Sequence, residues 1–186
     1  MYEKIYWAAE PFSSLLTVVP ELYPRTVTIN GCSKAFAMTG WRLGYLLADP
    51  RICDEAIKIQ DAMIICAPVV SQIAIEAAIR VDWNYMESFY GELLRRRSAL
   101  SEGLAAIPGL TWTPTAGGFF AFVRVDNCHD SRLLADTILD RTHVVTIPGA
   151  AFGRSGEGFL RLSYGAASVE ELTEACGRLR RFFARQ

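Results

Sequence analysis

The apolar positions of this 186-residue chain follow two spacings, which predicts that strands and helices alternate along it. Short apolar runs rich in β-branched and aromatic residues are typical of strands, and they occupy residues 26–29, 43–48, 110–113, 119–125, 144–147 and 159–163. Apolar residues three or four positions apart are typical of helices, and they occupy residues 50–63, 70–79, 83–107, 131–140 and 169–183. Residues 1–7 alternate weakly, as the end of a strand does, and the β-branched run 26–29 predicts a buried strand. The interleaving predicts an α/β fold with at least two layers.

Several helix boundaries are marked by residues that cap or break helices. Asp49-Pro50 predicts a helix start, because proline suits the first helical turn. Ser168 with Glu171 three residues later predicts a capping box at the start of the last helix. The helix predicted over residues 83–107 is long enough to connect two lobes. We therefore expect two domains, residues 1–88 and residues 89–186, with the boundary near residue 88.

Composition and charge exclude several classes of protein. Half of the chain (51%) is apolar, 21% is charged and the net charge is −1, so no basic field would recruit nucleic acid or an anionic membrane. The longest uncharged stretch, residues 62–75, is too short to cross a bilayer, and the first ten residues do not resemble a signal peptide. We expect no nucleic-acid partner, no membrane partner and a cytoplasmic location.

Cysteine and histidine usage predicts no metal site. The five cysteines form no Cys-x-x-Cys pair, which indicates reduced thiols. His129 and His143 lack partners at the spacing of metal ligands.

One segment concentrates the candidate chemistry. Residues 31–44 read Gly-Cys-Ser-Lys-Ala-Phe-Ala-Met-Thr-Gly-Trp-Arg-Leu-Gly and follow a predicted strand. The chain has only three lysines, Lys4, Lys34 and Lys58, so Lys34 is not one of many solvating charges. A lysine amine among small and apolar neighbours is a candidate for Schiff-base formation. The order of residues excludes a P-loop, and an ordinary surface turn is the alternative on composition alone.

This segment resembles the lysine signature of class I and II aminotransferases, which are pyridoxal 5'-phosphate enzymes of fold type I. Residues 159–165, Phe-Leu-Arg-Leu-Ser-Tyr-Gly, resemble the arginine motif of the same family that binds the substrate carboxylate. Two separate matches in the expected order are stronger than either alone. The resemblance implies the remainder of the large-domain sheet with its helices, followed by a smaller α/β domain.

The resemblance also implies a role for four residues. Lys34 would form the Schiff base with the cofactor and act as the proton-transferring base, and Arg42 would bind the cofactor phosphate. Tyr2 would contact the cofactor phenolate oxygen, and Arg161 would hold the substrate α-carboxylate. The alternatives are a surface cation for Arg42, a structural ion pair for Arg161 and a core or edge tyrosine for Tyr2.

The match covers only the C-terminal half of the family pattern. The acid that pairs with the pyridine nitrogen would lie just before residue 1, so we expect this chain alone to bind the cofactor poorly and to have little activity. The resemblance implies a homodimer for a full-length protein.

The leading function is amino transfer from an amino acid to a 2-oxo acid. A β-lyase or synthase of the same fold, or a non-catalytic fragment, is the alternative. The sequence does not identify the amino acid donor.

Overall fold

A computed structural model describes residues 2–82, 84 and 86–185 of the chain. The chain divides into two compact units, Met1–Trp83 and Asn84–Gln186, which we call unit 1 and unit 2. The α/β class predicted from the apolar spacing is confirmed, because each unit contains both a sheet and helices.

Unit 1 contains a two-stranded sheet and four α-helices among its described residues. In chain order the elements are α1 (Leu15–Val18), a 3-10 turn (Pro20–Arg25), β1 (Thr28–Gly31), α2 (Cys32–Ala35), a 3-10 turn (Thr39–Trp41), β2 (Gly44–Leu47), α3 (Pro50–Ile64) and α4 (Val69–Arg80). Strands β1 and β2 are antiparallel, with Thr28 opposite Leu47 and Gly31 opposite Gly44.

The described residues of unit 2 form a four-stranded antiparallel sheet with the order β3-β4-β6-β5 and three α-helices. In chain order the elements are α5 (Met86–Ala105), β3 (Leu110–Thr111), β4 (Phe120–Val125), α6 (Ser131–Thr142), β5 (Ile147–Pro148), two 3-10 turns (Gly149–Phe152 and Arg154–Gly156), β6 (Phe159–Ser163) and α7 (Val169–Phe183). The start of the predicted helix 83–107 includes residues 83 and 85, which lie outside the described residues.

The core of unit 2 lies between its sheet and its helices. Every second residue of β4 is buried, as expected for a strand with one face toward a core. Helix α5 buries Leu93, Leu100 and Leu104, and it packs against α7. The hydroxyl of the fully buried Tyr164 donates a hydrogen bond to the Gly118 carbonyl at 2.9 Å. Burial on this scale stabilises a domain by about 25 cal/mol per Å² of apolar surface.

Unit 1 is packed differently, and one prediction about it is wrong. The run at residues 26–29 was expected to be a buried strand, but β1 begins at Thr28 and the Ile29 side chain is 76% exposed. The helix predicted over residues 50–63 is observed as α3, which buries none of its residues. A two-stranded sheet offers too little surface to cover such a helix.

Two predicted helix-start signals are confirmed, one in each unit. Asp49 caps α3 by accepting a hydrogen bond from the Arg51 amide at 3.0 Å, and Pro50 is the first helical residue. Ser168 and Glu171 form the predicted capping box of α7, with distances of 3.1 and 2.7 Å.

Two short strand predictions are corrected. The strand predicted over residues 144–147 is reduced to β5, Ile147–Pro148, because His143 ends α6 in a left-handed conformation just before it. The described part of residues 1–7 forms a turn with an isolated bridge at Tyr6, since the Ile5 amide donates to the Tyr2 carbonyl at 2.8 Å. Among the described residues, no helix combines the length and the apolar character needed to span a membrane.

Candidate active site

The lysine segment forms a loop that is closed at its base by the sheet of unit 1. The β1–β2 ladder ends with Gly31 opposite Gly44, which are the first and last residues of the segment. The Cys32 amide also donates to the Leu43 carbonyl at 3.5 Å. Residues 31–44, which we call the lysine loop, therefore leave and re-enter the sheet at the same point.

Close backbone contact at the base of the loop requires glycine. A Cβ atom at Gly44 would lie 2.7 Å from the Asn30 carbonyl oxygen, which is closer than real Cβ atoms approach a backbone atom. The two strands can reach this separation only because residue 44 has no side chain. The glycine that ends the segment thus has a steric reason to be there.

Lys34 lies in helix α2, which is the first helical element of the lysine loop. Helix α2 spans Cys32–Ala35, and it buries Cys32 and Ala35 while Lys34 remains half-buried. Helix α2 contacts the 3-10 turn Thr39–Trp41, which comes immediately before Arg42. The lysine and the arginine are thus carried by two packed turns of one closed loop.

Two non-glycine residues of the loop adopt left-handed backbone conformations. Ala37 has a φ of 53° and Arg42 has a φ of 51°. A non-glycine residue in this region costs on the order of 1–3 kcal/mol, and such residues are concentrated at functional sites. The loop therefore holds a backbone shape that ordinary turns avoid.

Arg42 is exposed and has part of its guanidinium engaged. Its Nη1 donates to the Thr39 carbonyl at 2.8 Å, which fixes the side chain against its own turn. A guanidinium carries five N–H donors, so this single bond leaves donor capacity for an anion.

Sequence reasoning did not single out Asn30, which links three parts of unit 1 at the base of the loop. Its Oδ1 accepts from the Gly31 amide at 2.8 Å, and its Nδ2 donates to Tyr45 Oη at 3.1 Å and to Glu3 Oε2 at 3.4 Å. The bond to Glu3 joins the segment that begins with Tyr2 to the strand that leads to Lys34. The register that places Asn30 opposite Tyr45 could be inferred only once the strands were known to pair.

The Glu3 carboxylate also affects neighbouring acids. Burial, and secondly the negative charge of Glu3, raise the pKa of the Cys32 thiol above its ordinary value. The same two causes, in the same order, raise the pKa of the Tyr45 hydroxyl. Both groups are therefore neutral near pH 7, and Cys32 is not an activated nucleophile.

Arg161 lies in unit 2, on the interior strand β6, where it is opposite Phe122 of β4 and Ile147 of β5. Its guanidinium carbon is 4.5 Å from the centre of the Phe120 ring and 4.9 Å from that of Phe152. Aromatic faces attract a guanidinium and hold its plane. The sequence did not reveal these two ring partners, because Phe152 comes from a 3-10 turn outside the sheet.

The Arg161 guanidinium is not fully satisfied by the described residues. Its Nε is buried and has no hydrogen-bond partner among them. A buried donor without a partner is costly, and an anionic ligand is one way to satisfy it. No ion pair involving Arg161 is present in the described part of the chain, so the structural ion pair considered as an alternative is not seen.

The structure thus brings Lys34 and Arg42 together on one loop of unit 1 and connects the Tyr2 segment to its base through Glu3 and Asn30. Arg161 belongs to unit 2.

Comparison with known proteins identifies the family. The sequence pattern described as aminotransferase class I and II matches residues 1–179. The chain is 38% identical over 174 residues to a putative aminotransferase, YugH, of Bacillus subtilis, covering 93% of this chain and 44% of that protein. It is 37% identical to an aspartate aminotransferase of Pyrococcus abyssi, covering 85% of this chain and 41% of that protein.

A solved structure agrees with the sequence relatives. The aromatic aminotransferase from Pyrococcus horikoshii aligns with a TM-score of 0.92 and 32% identity, covering 100% of this chain and 50% of that chain. The fold is therefore that of fold type I aminotransferases, and the chain belongs to the class I and II aminotransferase family, whose members use pyridoxal 5'-phosphate. The chain spans about half the length of the curated relatives it matches.

Proposed function

We propose that this chain carries part of a pyridoxal 5'-phosphate-dependent aminotransferase that moves an amino group from an amino acid to a 2-oxo acid. The observation that supports this most strongly is the closed lysine loop, which holds Lys34 and Arg42 between Gly31 and Gly44 of one ladder and lies within the residues that match the family. When bound, the cofactor supplies an aldehyde and an electron-withdrawing ring.

Lys34 is the residue we propose to bind the cofactor aldehyde covalently. Its half-buried position on α2, beside buried Cys32 and Ala35, restricts the motion of its side chain. With the cofactor bound, the Lys34 amine would also be the group that moves a proton at the substrate Cα. One residue would then be both the covalent anchor and the base.

Arg42 and Tyr2 are the other residues we assign to the cofactor. The planar guanidinium of Arg42 suits a phosphate dianion, and its bond to Thr39 orients the remaining N–H groups. The Tyr2 hydroxyl is proposed to hydrogen-bond the cofactor phenolate oxygen. The Glu3–Asn30 bond supports this role, because it keeps the Tyr2 segment beside the strand that ends at the lysine loop.

Arg161 is proposed to hold the substrate α-carboxylate. Stacking on Phe120 and Phe152 fixes the plane of the guanidinium, and the buried Nε lacks a partner among the described residues. A carboxylate satisfies two N–H groups of a guanidinium at once. Two of the proteins named above are an aspartate aminotransferase and an aromatic aminotransferase, so we propose an amino acid of one of these classes as the donor.

The same family membership guides the proposed organisation. We assign residues 1–88 to the large cofactor-binding domain and residues 89–186 to the small domain, in a cytoplasmic protein whose full-length form is a homodimer. Because α3 of unit 1 buries none of its residues, we propose that the chain by itself has little activity.

A spectroscopic half-reaction tests the proposal without requiring full turnover. The purified chain is saturated with pyridoxal 5'-phosphate and mixed with L-aspartate or L-phenylalanine, and conversion of the bound aldehyde to the amine is followed by absorbance. We expect slow conversion that is lost in Lys34→Ala and retained in Lys58→Ala, since Lys58 is an exposed lysine paired with Glu55. Equal rates in wild type and Lys34→Ala would refute the assignment.

A further inference from the structure

The ends of two helices in unit 2 enclose a cavity rich in arginine. It has a volume of about 390 Å³, and Arg141 and His143 of the α6 end and Arg178, Arg181 and Arg185 of the α7 end line it. The net charge of the chain is −1, so this concentration of positive charge is local. It lies apart in sequence from the lysine loop and from Arg161.

One of the arginines is held in a fixed position. Arg178 Nε pairs with Glu174 Oε1 at 2.9 Å, and its Nη1 donates to the Thr142 carbonyl at 3.2 Å. The bond from Arg178, and then the charges of Arg178 and Arg181, lower the pKa of the Glu174 carboxyl, so this residue is ionised at neutral pH. Arg141, Arg181 and Arg185 form no ion pair among the described residues.

Helix dipoles account for only part of this cluster. The carboxyl end of a helix carries roughly −0.5 of a charge, and the ends of α6 and α7 together offset about one arginine. Glu174 offsets a second. Of the four guanidinium charges, about two remain without compensation from the described residues.

The chemistry of the cavity favours a phosphorylated ligand. Its volume lies within the roughly 300–1,000 Å³ of small-molecule sites. A phosphate ester carries about two negative charges and three acceptor oxygens, which match several converging guanidinium forks better than one carboxylate does. We propose that this cavity binds a small phosphorylated anion, and that Arg141 and Arg181 contact its phosphoryl oxygens.

Calorimetric titration of the full chain with inorganic pyrophosphate tests the proposal. We expect saturable binding that weakens by at least about tenfold in Arg141→Ala/Arg181→Ala, because a hydrogen bond to a charged group contributes about 1.5–3 kcal/mol. Both side chains are exposed, so the substitutions do not disturb the core. The variant Arg141→Lys/Arg181→Lys keeps the charge and loses the fork, and we expect it to bind with intermediate affinity.

Two controls separate this site from other positive charges. Arg180 is next to Arg181 in α7 but lines a different cavity, so Arg180→Ala should leave the affinity within about twofold of wild type. The loss caused by Arg141→Ala/Arg181→Ala should also persist in an Arg42→Ala background, which separates this site from the proposed cofactor site.

Several results would overturn the proposal. They are the absence of saturable pyrophosphate binding, an equal loss in Arg180→Ala, or citrate binding as tightly as pyrophosphate. Binding of RNA or anionic vesicles without binding of pyrophosphate would show a macromolecular surface instead and would also refute it.

Discussion

The two units of this chain use similar sequence patterns with opposite results. In unit 2, amphipathic helices α5 and α7 bury their apolar faces against each other and near a four-stranded sheet. In unit 1, α3 buries none of its residues, and Met63 is 73% exposed. The difference teaches that an apolar stripe predicts a helix with one apolar face. The stripe does not predict whether the described residues bury that face.

The candidate functional residues of the two units also differ in the structure that supports them. Arg161 is supported by an interior strand and two aromatic rings of unit 2. Lys34 and Arg42 depend on a two-stranded sheet and a loop with left-handed residues at positions 37 and 42. Local opening free energies follow local packing, so we expect the lysine loop to open more readily than the Arg161 strand.

The largest expected effect comes from comparing one substitution, isoleucine to alanine, at a buried position of unit 2 and at an exposed position of unit 1. Ile138 is fully buried in α6, whereas Ile59 of α3 is 62% exposed. We expect Ile138→Ala to lower the free energy of unfolding of unit 2 by about 2–5 kcal/mol. Ile59→Ala should change stability by less than about 0.5 kcal/mol. Native-state hydrogen exchange measures both, and equal losses would show that α3 is packed in solution.

Helix caps give a smaller and more local comparison. Ser168→Ala removes the cap of α7, and we expect it to destabilise unit 2 by about 0.5–2 kcal/mol. Asp49→Ala removes the cap of α3, and we expect faster exchange of the first α3 amides with no change in unit 2. Ser168→Thr keeps a capping hydroxyl, so it should retain most of the stability of unit 2 that Ser168→Ala loses. A change in unit 2 exchange caused by Asp49→Ala would contradict the separation of the units.

The effect of pH should appear in unit 2 through Glu157. Hydrogen bonds from the Ser131 and Gly158 amides lower the pKa of this carboxyl below its ordinary value of 4.5. A lowered folded pKa means that the stabilisation is complete above about pH 4.5 and is lost as the pH falls through the folded value. Thermal unfolding between pH 7 and pH 3 should therefore show a smaller acid loss in Glu157→Gln than in wild type. If thermal stability falls equally between pH 7 and pH 3 in Glu157→Gln and wild type, the hydrogen bonds to Glu157 do not stabilise the fold.

How much the sequence predicts depends on the range of the interaction involved. Local signals worked: Asp49-Pro50 starts α3, and Ser168 with Glu171 caps α7. The strand at residues 159–163 was predicted with its observed bounds. Burial was mispredicted for Ile29, because it depends on what covers a strand and not on its β-branched residues.

The candidate site shows the same limit. The lysine and arginine motifs are contiguous in sequence, so the family could be predicted from them, and the family is confirmed by the match over residues 1–179. The roles of the individual residues stay predictions. The contacts that support them are not contiguous. Asn30 reaches Glu3 and Tyr45, and Phe152 reaches Arg161, only through pairings that residue types alone do not specify.

The central claim, that Lys34 is the lysine prepared to react with the cofactor aldehyde, has a direct test. The folded chain is incubated with pyridoxal 5'-phosphate and reduced with borohydride, and peptide mass spectrometry then locates the label among the only three lysines. The account predicts labelling of Lys34 over Lys4 and Lys58, with the preference lost in urea. Labelling that favours the exposed Lys4 or Lys58, or that is equal at all three in the folded chain, would contradict it.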